Sequence, residues 1–424
     1  MSDKSVFSWK WYKEVPRDAW RSLIAAGFGW FFEIFDLFMY SLTLPALLVY
    51  FSISTAVGGL IGTAEAAGMM IGGIVNGWVA DKIGRVKALI IAILTYTVFT
   101  GLTALATTAT MVGVLRFLAG LGMGGEWTAG AALVAESWPP KYRGRGGALM
   151  QMGLPLGSLF AILVVGIIAS ITPLNTGGWR YVYLSGVFPA LMLIYVWRRV
   201  PESKIWLAQK AQKELEKKQK KEGATKEEVE QKSEVKLKNV LLTFFFVFIG
   251  MYAYWGVFTF APTFLVLVRH LAFIHSLSFI LALQLGSLAG FLVFAAIVDR
   301  IGRRPSFISF LIIGLIGTAV FVLSTSIPLI YTGATLAGFG ITGIFGGMGP
   351  WIAEMVPRTR RRGFLMGLAY NGGRAGGVIA PYVVGALAVT VGGFIAGLLT
   401  TALMLGIGIV IIAISPETKG TVLS

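Results

Sequence analysis

Apolar runs of about twenty residues, separated by short polar connections, recur along the whole chain, and each can cross a hydrocarbon core of about 30 Å as a helix. The pattern predicts twelve spans, near residues 22–50, 55–79, 87–106, 110–136, 146–171, 179–198, 241–267, 277–297, 305–325, 329–353, 364–388 and 391–414. Between the sixth and seventh lies a highly charged stretch, AQKAQKELEKKQKKEGATKEEVEQKSEVKLK, too poor in apolar residues to form a core. The first twenty-one residues are too polar for a secretory signal. The expected fold is an all-α integral membrane protein, with twelve transmembrane helices in two pseudo-symmetric six-helix bundles. Its divisions are a tail at 1–21, a bundle at 22–200, a linker at 201–240, a second bundle at 241–415 and a tail at 416–424.

Composition agrees: 56% of the residues are hydrophobic and 13% charged, about half the charged fraction of a soluble domain. Cysteine is absent and there are two histidines, too few for thiolate or imidazole metal sites. The net charge of +16 would suggest nucleic acid in a soluble protein, but its distribution argues otherwise. Of 36 Lys and Arg, 32 fall in the tails and alternate connections, and the other connections hold only Arg180 and Arg269. By the positive-inside rule those 32, and with them both termini, are expected on the cytoplasmic side. The expected location is the cell membrane, with lipids and a small-molecule substrate as partners, no nucleic acid, and a monomeric chain.

The two halves repeat. GWVADKIGR at 77–85 returns as AAIVDRIGR at 295–303, LAGLG at 118–122 as LAGFG at 336–340, and Glu136 as Glu354, each 218 residues later. Parallel repeats of this kind build rocking transporters, whose substrate site lies between the halves. With these motifs the chain resembles the major facilitator superfamily along nearly its whole length. The resemblance rests on Gly77, Asp81, Gly84 and Arg85, their echo Asp299, Gly302 and Arg303, the R-x-x-x-G-x-G of Arg116, Gly120 and Gly122, and PESKIWL and PETKG closing the halves. FEIFDLFMY, GGEWTAGAALVAESWP and YNGGR resemble the proton symporters for metabolites, sialate and aromatic acids.

Asp81, Arg85, Glu136, Arg143, Asp299, Arg303, Glu354 and Arg362 lie at span ends on the basic side. They are expected to pair across that face when it is closed, a network that biases a two-state rocker. Gly84 and Gly302 are expected in tight turns.

Charges also occur inside the spans, where each carboxylate or guanidinium costs a few kcal/mol, about 2.5–3.5, unless it faces a cavity or a partner. At 1.5 Å per residue, Glu33 lies ~16 Å and Asp36 ~21 Å from the basic side, Glu126 and Arg374 ~15 Å, and Arg116 ~30 Å. Glu33 and Asp36, three apart, share a helical face. Proton coupling is expected at Asp36, Arg116, Glu33 and Glu126, and the superfamily resemblance implies Asp36 with Arg116 as the switch. The expected substrate-binding residues are Arg374, Glu126, Gln151, Tyr254, Trp255, Gln284, Tyr370 and Asn371.

The function expected is secondary active transport of a small organic acid, coupled to a proton and needing no other cofactor. A sugar or zwitterionic osmolyte is the alternative cargo, and a drug exporter or a non-transporting sensor is less favoured. No H-E-x-x-H, G-x-S-x-G or P-loop pattern suggests an enzyme.

Overall fold

A computed structural model of the chain describes residues 11–139, 143–221, 237–355, 362–390 and 393–419. The side chains of Arg143, Asp299 and Arg362 lie outside the described set. Among the described residues the structure is helical, without strands. The first half contains α1 (Arg17–Tyr50), α2 (Thr55–Ile83), α3 (Arg85–Thr103), α4 (Ala109–Ser137), α5 (Arg143–Gln151), α6 (Gly153–Ile171), α7 (Trp179–Ser185) and α8 (Ala190–Arg199). The charged linker contributes α9 (Lys204–Lys221). The second half contains α10 (Leu237–Leu267), α11 (Phe273–Ile301), α12 (Arg303–Leu323), α13 (Ile327–Gly343), α14 (Phe345–Met355), α15 (Arg362–Gly373), α16 (Ala375–Leu387) and α17 (Gly393–Ile414).

Ten segments among the described residues are long and apolar enough to cross a membrane. The two predicted spans outside that group are α4 and the α15–α16 pair. These carry Arg116, Glu126 and Arg374 among many glycines, which lowers their hydropathy. Four predicted spans are interrupted, at Met152, at 186–189, at Ile344 and at Arg374. Pro155 and Pro350 lack the N–H that would bond back one turn, and Pro189 directly precedes α8. Arg374 sits in Gly-Gly-Arg-Ala-Gly-Gly, which favours helix weakly, and its carbonyl accepts from Gly377 N–H at 2.9 Å in a tighter turn.

Helix ends follow local chemistry. Thr108 caps α4 by accepting from Met111 N–H at 3.2 Å. Gly84 and Gly302 stop α2 and α11 with φ of 108° and 103°, the left-handed region that only glycine enters cheaply, as expected of tight turns.

Glycine also sets the distances between helices. Gly72 of α2 lies directly against the backbone of Leu121 in α4, and Gly290 of α11 against that of Phe339 in α13. Gly120 meets the backbone of Glu65, and Gly338 that of Leu283. Each second-half residue is the first-half residue displaced by 218 positions, so the sequence repeat is a structural repeat as well.

The halves touch at the end remote from the basic connections. Ser41 Oγ donates to the carbonyls of Phe258 and Thr259 at 2.5 and 3.1 Å, joining α1 to α10. Thr63 donates to Val378 at 2.8 Å and Thr55 to Gly385 at 3.2 Å, joining α2 to α16. Toward the basic end the halves part around a cavity of about 650 Å³ between α5–α6, α11 and α14–α15. The far end is closed and the basic end is the open one.

Candidate functional site

At the basic end each half closes its own charge cluster. Arg85 donates to Asp81 at 2.6 Å and to Glu136 at 3.0 Å, while Glu202 accepts from the backbone N–H of Arg85 at 2.9 Å at the start of α3. In the second half Arg303 donates to Glu354 at 3.0 Å, Glu417 accepts from the backbone N–H of Arg303 and Arg304 at 2.9 and 3.0 Å, and Thr418 donates to Glu354 at 2.6 Å. Partial burial raises Glu417, yet these backbone donors outweigh it and hold the carboxyl below its ordinary range. Among the described residues these ion pairs lie within a half and none spans the basic face; the pairing across it was expected of the closed face, and this face is open. Gly77 is no part of the cluster. It lies on the α2–α4 contact, where a side chain would meet Thr128 at 3.6 Å.

Deep in the first half is a second cluster. Arg116 Nη1 donates to Asp36 at 2.8 Å and to Glu65 at 3.4 Å, and Nη2 donates to Thr100 at 2.7 Å and Thr103 at 3.3 Å. Thr100 in turn donates to the other oxygen of Asp36. The guanidinium lies 5.0 Å from the centre of the Tyr183 ring. Asp36, Arg116 and Glu65 are almost wholly buried. The Asp36–Arg116 pair is the one that the sequence and the resemblance point to. Glu65 belongs with it but was absent from the expected site; its one signal in sequence is a carboxylate within an apolar span.

Glu33 of α1 and Glu126 of α4 are both fully buried, and the Glu126 carboxyl occupies the space beside Gly29, one turn below Glu33. No hydrogen-bond donor among the described residues engages either carboxyl.

Between the halves lies a smaller cavity of about 80 Å³, lined among others by Trp30, Trp127, Tyr254, Trp255, Tyr370 and Arg374. Arg374, at the α15–α16 break, reaches across to α2, where a side chain on Gly73 would meet its Nη1 at 3.4 Å. Its guanidinium stands 5.8 Å from the Trp127 ring and 5.9 Å from the Tyr370 ring. Its Nη1 is buried and has no hydrogen-bond partner among the described residues.

Five expected substrate residues line this cavity: Gln151, Tyr254, Trp255, Tyr370 and Arg374. Asn371 lines the larger cavity instead. Glu126 lines neither; at its level Trp127, the next residue on α4, faces the cavity. Gln284 also lines neither cavity, and is fully buried with both amide atoms unpartnered. It lies on the α11 face of Leu288 and Phe291 but nearer the far end, where the halves close together. Sequence reasoning missed Trp30, Trp127, Met69 and Phe291, since an aromatic or apolar side chain that faces a cavity reads like one that faces a neighbouring helix.

Two helical repeats, charges buried inside apolar spans and a cavity between the halves together define a membrane transporter. The profile of the Major Facilitator Superfamily matches residues 26–308 and 275–422. The chain is 30% identical to a probable 4-methylmuconolactone transporter of Cupriavidus pinatubonensis over 97% of this chain and 93% of that one. It is 31% identical to the cis,cis-muconate transport protein of Acinetobacter baylyi, covering 83% and 84%. Its fold is similar to that of the Escherichia coli xylose transporter in a partially occluded inward-open conformation, with a TM-score of 0.74 at 19% identity over 96% and 100% of the two chains. The chain belongs to the Major Facilitator Superfamily: it is a multi-pass membrane transporter and not an enzyme.

Proposed function

We propose that this transporter carries a small organic acid by proton-coupled alternating access, through twelve spans with both termini in the cytoplasm. The observation that carries the reading is Arg374, a cation set in an aromatic cavity between the halves, whose buried Nη1 has no partner among the described residues. A buried cation is costly until an anion meets it, and a guanidinium grips a carboxylate with two parallel hydrogen bonds. The ring faces around it suit an unsaturated or aromatic acid, in keeping with the muconate and 4-methylmuconolactone carriers it is similar to. Among the described residues Gln151 is the only amide side chain lining this cavity, too few for a sugar's hydroxyls.

Asp36 is the proton carrier in this reading. Arg116 bridges Asp36 and Glu65, so when Asp36 takes a proton the guanidinium keeps Glu65 as its partner and is never left buried and unpaired. Glu33 and Glu126 form a second buried carboxyl pair nearer the basic end, a further candidate for holding a proton.

The test is binding of purified protein to benzoate, muconate, xylose and betaine by thermal shift, in the wild type, Arg374→Lys and Arg374→Ala. Organic acids should stabilise the wild type, the lysine variant should bind them markedly more weakly, because it loses the planar fork, and the alanine variant should not bind. If only uncharged ligands bind, or both variants bind acids like the wild type, the reading fails.

A further inference from the structure

Trp127 of α4 and Tyr370 of α15 come from opposite halves and stack at 5.3 Å with 15° between their planes. Both side chains line both cavities, the small one that holds Arg374 and the large one toward the basic end. Gln151, Phe291 and Phe345 also border both and flank the stacked pair, and Gln151 Oε1 accepts from Trp127 Nε1 at 3.4 Å, which orients the indole. The guanidinium of Arg374 lies over these two rings. The large cavity is open beyond them: its lining residues Gly349 and Pro350 are exposed, and a side chain at Gly349 would meet nothing within 4 Å.

We infer that the Trp127–Tyr370 stack is the partition between the small cavity and the open vestibule, a two-ring gate that must part for a solute to pass at the basic end. The inference adds to the transport reading a specific barrier, and its geometry does not depend on which solute is carried. A stack between two rings suits this role. It is flat enough to seal the gap between the halves, and it is worth only about 0.5–1.5 kcal/mol beyond its buried area, so thermal motion opens it readily. Because one ring comes from each half, a rocking motion that separates α4 from α15 separates the rings as well. The far end cannot serve as an alternative route in this conformation, since Ser41, Thr55 and Thr63 bond the halves together there.

The chain contains no cysteine, so single cysteines report on access without any background to remove. Ala66 lines the small cavity, and Gly349 the large one. The experiment measures the rate at which a charged methanethiosulfonate reagent modifies Ala66→Cys and Gly349→Cys in the purified protein without ligand. Gly349→Cys should react fast in every background. Ala66→Cys should react slowly behind the intact stack and about tenfold faster when Trp127→Ala is added, the change that corresponds to about 1.4 kcal/mol in an opening equilibrium. Tyr370→Ala should give the same acceleration and serves if the Trp127 variant does not fold, while Tyr370→Phe, which keeps the ring, should retain the slow rate. Equal rates at the two cysteines in the wild-type background, or no acceleration on removing either ring, would overturn the partition. Because no solute is present, failure here leaves the organic-acid reading standing, and failure of the binding screen leaves this result standing.

Discussion

Arg116 on α4 holds Asp36 on α1 at 2.8 Å in a pocket where neither side chain meets solvent, and Thr100 and Thr103 take up its remaining Nη2 donors. This relationship makes Asp36 sensitive to what Arg116 does, and it sets the first prediction. Asp36→Asn keeps the shape and loses the exchangeable proton. Accumulation driven by a pH gradient in proteoliposomes should disappear while solute exchange persists. Accumulation at the wild-type level would exclude Asp36 as the carrier. Asp36→Ala should fold less stably, but the remaining contact to Glu65 should keep the loss below the roughly 3–5 kcal/mol of a buried pair broken outright.

Glu33→Gln and Glu126→Gln probe the second carboxyl pair. Each is close in shape to the residue it replaces, so folding should survive. If the pair takes part in coupling, either change should shift the pH dependence of uptake, with little change in solute affinity, because neither residue lines the small cavity. An unchanged pH profile in both variants would leave the pair with a packing role only.

The clusters at the basic end predict a different phenotype. Arg85→Ala removes the partner of both Asp81 and Glu136. It should slow transport while leaving ligand binding by thermal shift near the wild-type value, since the cluster lies outside both cavities. Loss of binding by a well-folded variant would mean that the cluster shapes the site as well as the motion.

Glu417 supplies a prediction in pH. Its folded value lies below the ordinary carboxylate value of about 4.3. The contribution is therefore complete above that ordinary value and is lost as the pH falls through the lower folded value. Glu417→Gln should lower the melting temperature at neutral pH, and the gap to the wild type should narrow in acid. A gap that does not change with pH would show that the charge of Glu417 is irrelevant to the cap.

The glycine contacts can be tested by size. Gly72→Ala and Gly290→Ala each place a methyl group into the backbone of the neighbouring helix. Overpacking of this kind costs about 1–3 kcal/mol. Both variants should melt at lower temperature than Gly147→Ala, where an added side chain meets nothing within 4 Å. Equal melting temperatures would mean that the helices separate at no cost.

Much of this protein was legible in its residues one at a time. Apolar run length set the spans because a hydrocarbon core accepts only helices of sufficient reach. A repeat at one offset, 218, predicted paired halves, and Gly84 and Gly302 predicted turns that need positive φ. Charges inside the spans marked Asp36, Arg116, Glu126 and Arg374, because burial of a charge needs a reason wherever it occurs. Contacts between the halves were decided only in three dimensions. Which side of α4 faces the cavity put Trp127 at the site and left Glu126 behind it, although the two are adjacent in sequence. The closed far end buried Gln284 on the same α11 face that exposes Phe291 to the cavity. Glu65 joined Arg116 because α2 and α4 approach closely at Gly120, a distance fixed by both helices together. Periodicity places a side chain on a face of its own helix, but what that face meets depends on how the helices cross and on which end of the molecule is open.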